Sequence, residues 1–367
     1  MYDYLEYMDN KIENVLASMK SNDLNQLIIC DSGSIYYLTG KMFHTGHRML
    51  ALVISHDKEP VLFIHEMFPT GKLERVKVHH WKDTDNYIKS LYEELDSDKN
   101  IGVDKFFEAR YLLGLTDLGL KQKVRVGSFV IDDIRGVKSD EEILLMEKSS
   151  EINDNVMIKL QEHISNFKGD ITENYLKEKL ISFYKEFTNE GLSFDPIICF
   201  GGNAADPHHE IDDTILKENN CIVIDIGCMK DNYASDMTRT VFYKGVSDFD
   251  RNIYEIVKEA NIRATNFVKP GVKFSEVDAV ARDYITEKGY GEYFNHRLGH
   301  FIGMEVHEAG DVSGSNHSLV KEGMIFSIEP GIYIKDKGIG VRIENLVVVT
   351  KDGCRSLNKI PLDLKVL

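Results

Sequence analysis

The chain has 367 residues, more than one ordinary hydrophobic core needs and enough for two domains. A hydrophobic share of 43% beside 28% charged residues is a globular balance and excludes a disordered or collagen-like chain. The formal net charge of −16 repels phosphate backbones, so nucleic acid is not expected as a partner; solubility accounts for the charge, and so would partial neutralisation by bound cations.

The cysteines are Cys30, Cys199, Cys221, Cys228 and Cys354. Their odd number, irregular spacing and lack of a Cys-x-x-Cys pair fit neither a disulfide framework nor a zinc finger. They are expected as small buried residues in a reducing, cytoplasmic compartment. The opening residues Met1 to Glu6 bring early acids and no basic-then-apolar run, unlike a secretory signal. No stretch reaches the ~18 consecutive apolar residues of a membrane span, so no membrane is expected either.

In chain order, apolar residues at helical spacing predict an amphipathic helix from Leu5 to Met19. Leu27–Cys30, Met49–Ile54 and Pro60–Ile64 read as strands, with a polar turn from Ser55 to Glu59. A helix near Tyr87–Leu95, a strand at Ile101–Val103 and a helix near Phe107–Leu118 follow. Alternating strands and helices predict an α/β domain. A boundary falls near Ile134–Lys138. Ser139 with Asp140, Glu141 and Glu142 then gives a capped helix start, and the helical pattern runs toward His163. Further helices are predicted over Glu173–Phe187, Asp248–Val268 and Phe274–Lys288 among β-branched strands, an α+β arrangement.

Two acid pairs stand out. From Cys221 to Phe242 the chain reads as strand, turn and returning strand, with Asp225 and Asp236 equidistant from the Lys230–Asp231 midpoint. With that register they face each other across the ladder, where like charges destabilise a sheet. A divalent cation would compensate; a solvated hairpin is the alternative, and the apolar residues around Asp225 speak against it. Glu329 and Glu344 are likewise equidistant from the Asp336–Lys337 midpoint, with Pro330-Gly331 bending the first strand. Four such carboxylates in one interior site need cations.

His296, His300 and His307 lie within twelve positions of one another. His296 and His300 have the i, i+4 spacing of a zinc-protease helix, but Arg297 stands where that motif needs Glu, and Gly299 and Gly303 make a poor helix. His208 and His209 follow a turn-forming stretch, Gly201 to Pro207, which presents either a catalytic side chain or a plain surface loop. Carboxylates with imidazole suit manganese, cobalt or zinc better than a thiolate site does.

These residues resemble the proline-specific metallopeptidases of the pita-bread fold, the Xaa-Pro dipeptidases (prolidases) and aminopeptidases P. The resemblance rests on Asp225-x10-Asp236-Met-Thr-Arg-Thr, His296-Arg-Leu-Gly-His300, Val306-His307-Glu308, Ser327-Ile-Glu329-Pro-Gly and Gly340-Val-Arg342-Ile-Glu344, with Tyr37–Gly40 in the first half. It implies an α/β creatinase-type N-terminal domain over residues 1–134 and an α+β pita-bread, creatinase/aminopeptidase-like catalytic domain over 135–367. It implies two divalent ions per subunit, manganese favoured and cobalt or zinc possible. Asp225 would hold one ion, His300 and Glu329 the other, and Asp236 and Glu344 would bridge both. The resemblance also gives catalytic or substrate-contacting roles to His208, His307, Glu329, His296 and Arg342, leaves His209 without one, and implies a homodimer. The implied reaction is hydrolysis of Xaa-Pro dipeptides by a metal-bridging hydroxide. An aminopeptidase P acting on longer peptides is one alternative, and a non-catalytic peptide-binding protein of the same fold is another. Phe301 stands where relatives commonly carry glycine, and either narrows the pocket or packs behind it.

Overall fold

A computed structural model describes residues 4–121, 123–207 and 209–367, the side chains of residues 4–10 excepted. The chain divides into two compact units between Arg135 and Gly136.

The first unit is built on a six-stranded sheet in the order Lys77–Trp81, Lys58–His65, Ala51–Ser55, Gln26–Ile29, Ile101–Val103, Val124–Val126. Ala51–Ser55 runs antiparallel to both neighbours, and the other three junctions are parallel. The central strands are the apolar runs of the sequence and are buried. The two edge strands, Lys-Val-His-His-Trp and Val-Arg-Val, carry polar and partly exposed residues, so no apolar run announces them. A short helix, Ser32–Thr39, also lacks a helical pattern. It is held by its ends: Asp31 accepts from the Ser34 N–H and pairs with buried Arg135 at 2.8 Å, and Gly40 closes it at φ 67°. Trp81 is a core residue whose indole N–H donates to the Met49 carbonyl.

The second unit opens with the 27-residue helix Asp140–Asn166, started by a full capping box between Ser139 and Glu142. This helix and Glu173–Tyr184 pack on a three-stranded antiparallel sheet of Ile197–Phe200, Cys221–Ile226 and Met237–Phe242. Helices Asp248–Phe267 and Phe274–Glu287 pack together, and their apolar faces share a second core with a five-stranded sheet. That sheet has the order Glu308–Val312, Gly299–Phe301, Ile325–Ile328, Asn345–Val349, Cys354–Ser356. Each half therefore contains one acid-bearing hairpin and one helix pair.

The hairpin registers decide where the acids go. In the first, Thr238 lies opposite Asp225 and Met237 opposite Ile226, so Asp236 does not face Asp225 as its spacing predicts. The turn sits one residue later than the symmetric reading, with Asp231 and Asn232 both in the left-handed region at φ 51° and 64°. A two-residue turn of that kind favours Asn and Asp, and it matches the twist of the flanking strands. Moving the centre by one residue changes pairing by two, which preserves the face, so Asp225 and Asp236 become diagonal neighbours on one side. In the second hairpin the predicted register holds: Ile328 pairs with Asn345 and Gly331 with Arg342. Glu329 and Glu344 occupy the positions between these two ladders. Their N–H groups instead donate to the Leu298 and Thr238 carbonyls.

Candidate metal centre

Strand ends place the acids. Asp225 lies near the end of Cys221–Ile226, and Asp236 immediately precedes Met237–Phe242. Glu329 follows Ile325–Ile328, Glu344 precedes Asn345–Val349, and His300 is central in Gly299–Phe301. Gly299 is required there, because a Cβ would lie 1.9 Å from the Ser327 carbonyl oxygen. All five side chains line one cavity of about 820 Å³, together with His296, His307 and Arg342.

The His300 imidazole is buried, with Nδ1 3.2 Å from the Phe301 carbonyl oxygen. Nδ1 therefore carries the proton, and Nε2 turns a lone pair toward Asp236 at 3.4 Å, Glu329 at 3.7 Å and Glu344 at 3.8 Å. Burial holds this imidazole below its ordinary pKa. Desolvation and then the Asp225 charge push the Asp236 carboxyl well above the usual range; desolvation and then Asp236 do the same to Glu344. Burial also raises Glu329. Asp225 Oδ1, Asp236 Oδ1 and Glu344 Oε1 are buried without any hydrogen-bond partner. Acceptor atoms crowded against an imidazole lone pair repel one another unless a cation or protons lie between them. Ligand atoms of Asp236, His300 and Glu344 all lie within 4.8 Å of one another. Oxygen donors with one neutral imidazole fit divalent ions of the manganese, cobalt or zinc kind.

A surrounding layer orients these groups. Thr238 Oγ1 donates to Glu344 Oε2 at 2.8 Å and accepts from Arg342 Nε at 3.1 Å. Ser327 Oγ accepts from the His300 N–H and donates to Glu329 Oε1. Arg342 is buried and pairs with Asp225 Oδ2 at 2.7 Å, while its other terminal nitrogen donates to the Tyr333 hydroxyl at 2.9 Å. Burial alone would lower the pKa of this guanidinium; Tyr333 and the Asp225 charge hold it well above the ordinary value.

His296 directs Nδ1 at the Arg297 carbonyl and Nε2 at the Tyr333 hydroxyl, 3.1 Å away. Burial and then Arg342 push its pKa down to about 4, so Nε2 accepts from Tyr333. His307 is exposed, its ring edge-on to His300 with centroids 4.2 Å apart, and desolvation and then His300 lower it to about 4. The predicted His208 lies outside the described residues; its neighbours Asp206 and Pro207 line the cavity. His209 pairs instead with buried Glu173 at 2.8 Å.

Thr238, Ser327 and Tyr333 went unpredicted. Ser327 and Thr238 stand two residues from Glu329 and Asp236, so the period-2 strand rule puts each on its acid's face and would have found both. Tyr333 follows the bend at Pro330, where that rule breaks. Phe301 is not part of the cavity wall: its ring packs on Phe274 and Phe326 at 5.2 and 5.8 Å.

Residues 144–351 match the model of metallopeptidase family M24, and residues 11–136 match the creatinase/prolidase N-terminal domain. The chain belongs to metallopeptidase family M24. It is 33% identical to the Xaa-Pro dipeptidase of Pyrococcus horikoshii, an alignment covering 98% of this chain and 100% of that protein. Among solved structures it is similar to a dipeptidase from Mycobacterium ulcerans, with a TM-score of 0.91 and 29% identity over 99% of each chain. It is also similar to an X-Pro aminopeptidase from Thermotoga maritima, with a TM-score of 0.82 and 27% identity over 97% and 100% of the two chains. The fold is thus a creatinase-type N-terminal domain followed by a pita-bread catalytic domain. Among the described residues, no helix is long and apolar enough to cross a membrane.

Proposed function

We propose that this metallopeptidase hydrolyses Xaa-Pro dipeptides using two divalent ions, manganese by preference and cobalt or zinc as substitutes. The observation that carries the reading is the convergence of Asp225, Asp236, His300, Glu329 and Glu344 on one cavity with three buried carboxylate oxygens unpartnered. Asp225 would hold one ion, His300 and Glu329 the other, with Asp236 and Glu344 shared. Such ions, when bound, polarise the scissile carbonyl and make water acidic enough to react at neutral pH.

The chain's own groups do the rest. Glu329, its Oε1 fixed by Ser327, takes up a proton and returns it to the leaving prolyl nitrogen. His307 is held neutral near the cavity mouth, where a ring N–H donates to the substrate carbonyl oxygen as charge develops there. His208 has the same role by resemblance. Arg342 keeps Asp225 oriented and, through Tyr333, keeps His296 in one tautomer. Proline makes this arrangement useful: an Xaa-Pro bond has no N–H, so an enzyme that recognises that donor cannot cut it.

The activities named for the Pyrococcus and Mycobacterium relatives favour a dipeptide substrate, and the likeness to the Thermotoga enzyme keeps trimming of longer peptides as the second reading. Hydrolysis of Ala-Pro and Gly-Pro with added manganese, compared with Xaa-Pro-Xaa tripeptides, separates the two. A manganese-loaded enzyme inert toward every Xaa-Pro substrate would falsify both. The family resemblance carries a homodimer, with sedimentation of the purified chain as its test. The five unpaired cysteines support a reducing, cytoplasmic setting.

A further inference from the structure

Glu173 is a carboxylate with no role in the chemistry above. It is fully buried at the first turn of helix Glu173–Tyr184, and it is not part of the cavity wall. Yet both its oxygens are saturated, and by one segment of chain. Oε1 accepts from the Phe200 N–H at 2.7 Å and the Asn203 side-chain amide at 3.0 Å. Oε2 meets His209 Nε2 at 2.8 Å and accepts from the Asp212 N–H at 3.2 Å. The donors flank a loop on both sides, and the middle of that loop, Ala205 to Pro207, forms part of the cavity wall.

Glu173, His209 and Asp212 also have the composition of a metal site. The saturation of Glu173 speaks against that use: unlike Asp236 and Glu344, it has no unpartnered oxygen. A buried carboxylate facing four donors is a clamp, and removing its charge leaves donors unsatisfied. On its far side the loop packs against strand Ile339–Arg342. A Cβ on Gly340 would lie 1.6 Å from the Ala204 carbonyl oxygen, so the wall has no slack toward the Arg342 strand.

We propose that Glu173 is a positioning residue for the peptidase reaction, clamping the 200–212 segment through His209 so that the Ala205–Pro207 wall meets the substrate in one geometry. The proposal rests on the peptidase reading. A displacement of about 1 Å at such a wall can lower turnover of bound substrate about a hundredfold.

The test compares manganese-loaded wild type with Glu173→Gln, His209→Phe, His209→Gln and the double variant Glu173→Gln/His209→Phe, using Ala-Pro. Glu173→Gln keeps the side-chain shape while replacing an acceptor by a donor. The expected result is a 10- to 100-fold fall in kcat/KM for Glu173→Gln and for His209→Phe, at unchanged metal content. His209→Gln keeps a donor and should restore most of the activity. The double variant should be no worse than the poorer single one, since both break the same clamp. Hydrogen exchange in 200–212 should quicken in the three impaired proteins. Wild-type kcat and KM in Glu173→Gln would overturn the proposal even if that variant melted earlier, for the clamp would then serve stability alone. Additive losses in the double variant would overturn the link through His209. A wild type inactive on Ala-Pro and on Xaa-Pro-Xaa tripeptides alike would overturn the peptidase reading and this proposal together, an outcome distinct from either; activity on the tripeptides alone would move the same comparison to them.

Discussion

At the scale of single residues, the centre is a collection of charges that tolerate one another only with help. Asp236 is buried beside an imidazole lone pair and the Asp225 carboxylate, so Asp236→Asn removes both a charge and an acceptor. Its effect should be at least that of losing an outer-layer partner, about a hundredfold in metal affinity or activity, read by metal analysis and Ala-Pro hydrolysis. A wild-type rate in a folded variant would remove Asp236 from the centre. His296 gives a pH prediction. Its folded pKa is about 4 against an ordinary 6.5, so the unfolded chain binds more protons between those values. Its contribution to stability is present in full above about pH 6.5 and disappears as pH falls through 4. Melting temperature followed over that window should therefore fall less steeply in His296→Gln. Phe301, buried in a cluster of rings behind the cavity, should act on stability rather than specificity. Phe301→Leu is expected to cost about 1–2 kcal/mol in denaturant titration and to leave the dipeptide-to-tripeptide preference unchanged.

Elements carry these residues, and their boundaries were unevenly legible. The long helix after the domain boundary announces itself through Ser139 and three acids, and the structure gives the full capping box. Ser139→Ala leaves the Glu142 N–H without its partner and should lower stability by about 1 kcal/mol, measured by urea titration. Ile101–Val103 and the helix starts at Glu173, Asp248 and Phe274 were equally plain, because apolar periodicity and caps are local signals. The edge strand Lys77–Trp81 was not, since three of its five residues are exposed and only Trp81 is buried. The first hairpin shows the same limit at finer grain. Symmetry of the acids placed its turn at Lys230–Asp231, whereas the left-handed pair is Asp231-Asn232. Both readings leave the acids on one face, so the chemistry was legible although the register was not.

Across the whole molecule, every residue assigned to the ions belongs to the unit from Gly136 onward, and cation binding should stabilise that unit. A site at a free-ion concentration a hundred times its Kd adds about 2.7 kcal/mol. Chelation should therefore lower the melting temperature in scanning calorimetry, and manganese should restore it. A midpoint indifferent to chelation would mean that the acids do not share a cation. The types of side chain, their order and the strand faces that carry them were readable along the chain, because strand periodicity and hairpin symmetry are local and the motif spacings are linear. The folded chain was needed to see which oxygens are left without partners, that Tyr333 joins Arg342 to His296, that Phe301 lies behind the wall, and that Glu173 grips a loop about thirty residues further along. Those are facts of burial and of contacts distant in sequence. No local pattern encodes them, because what leaves a buried atom satisfied or exposed to its neighbours' charge is the packing of the whole chain.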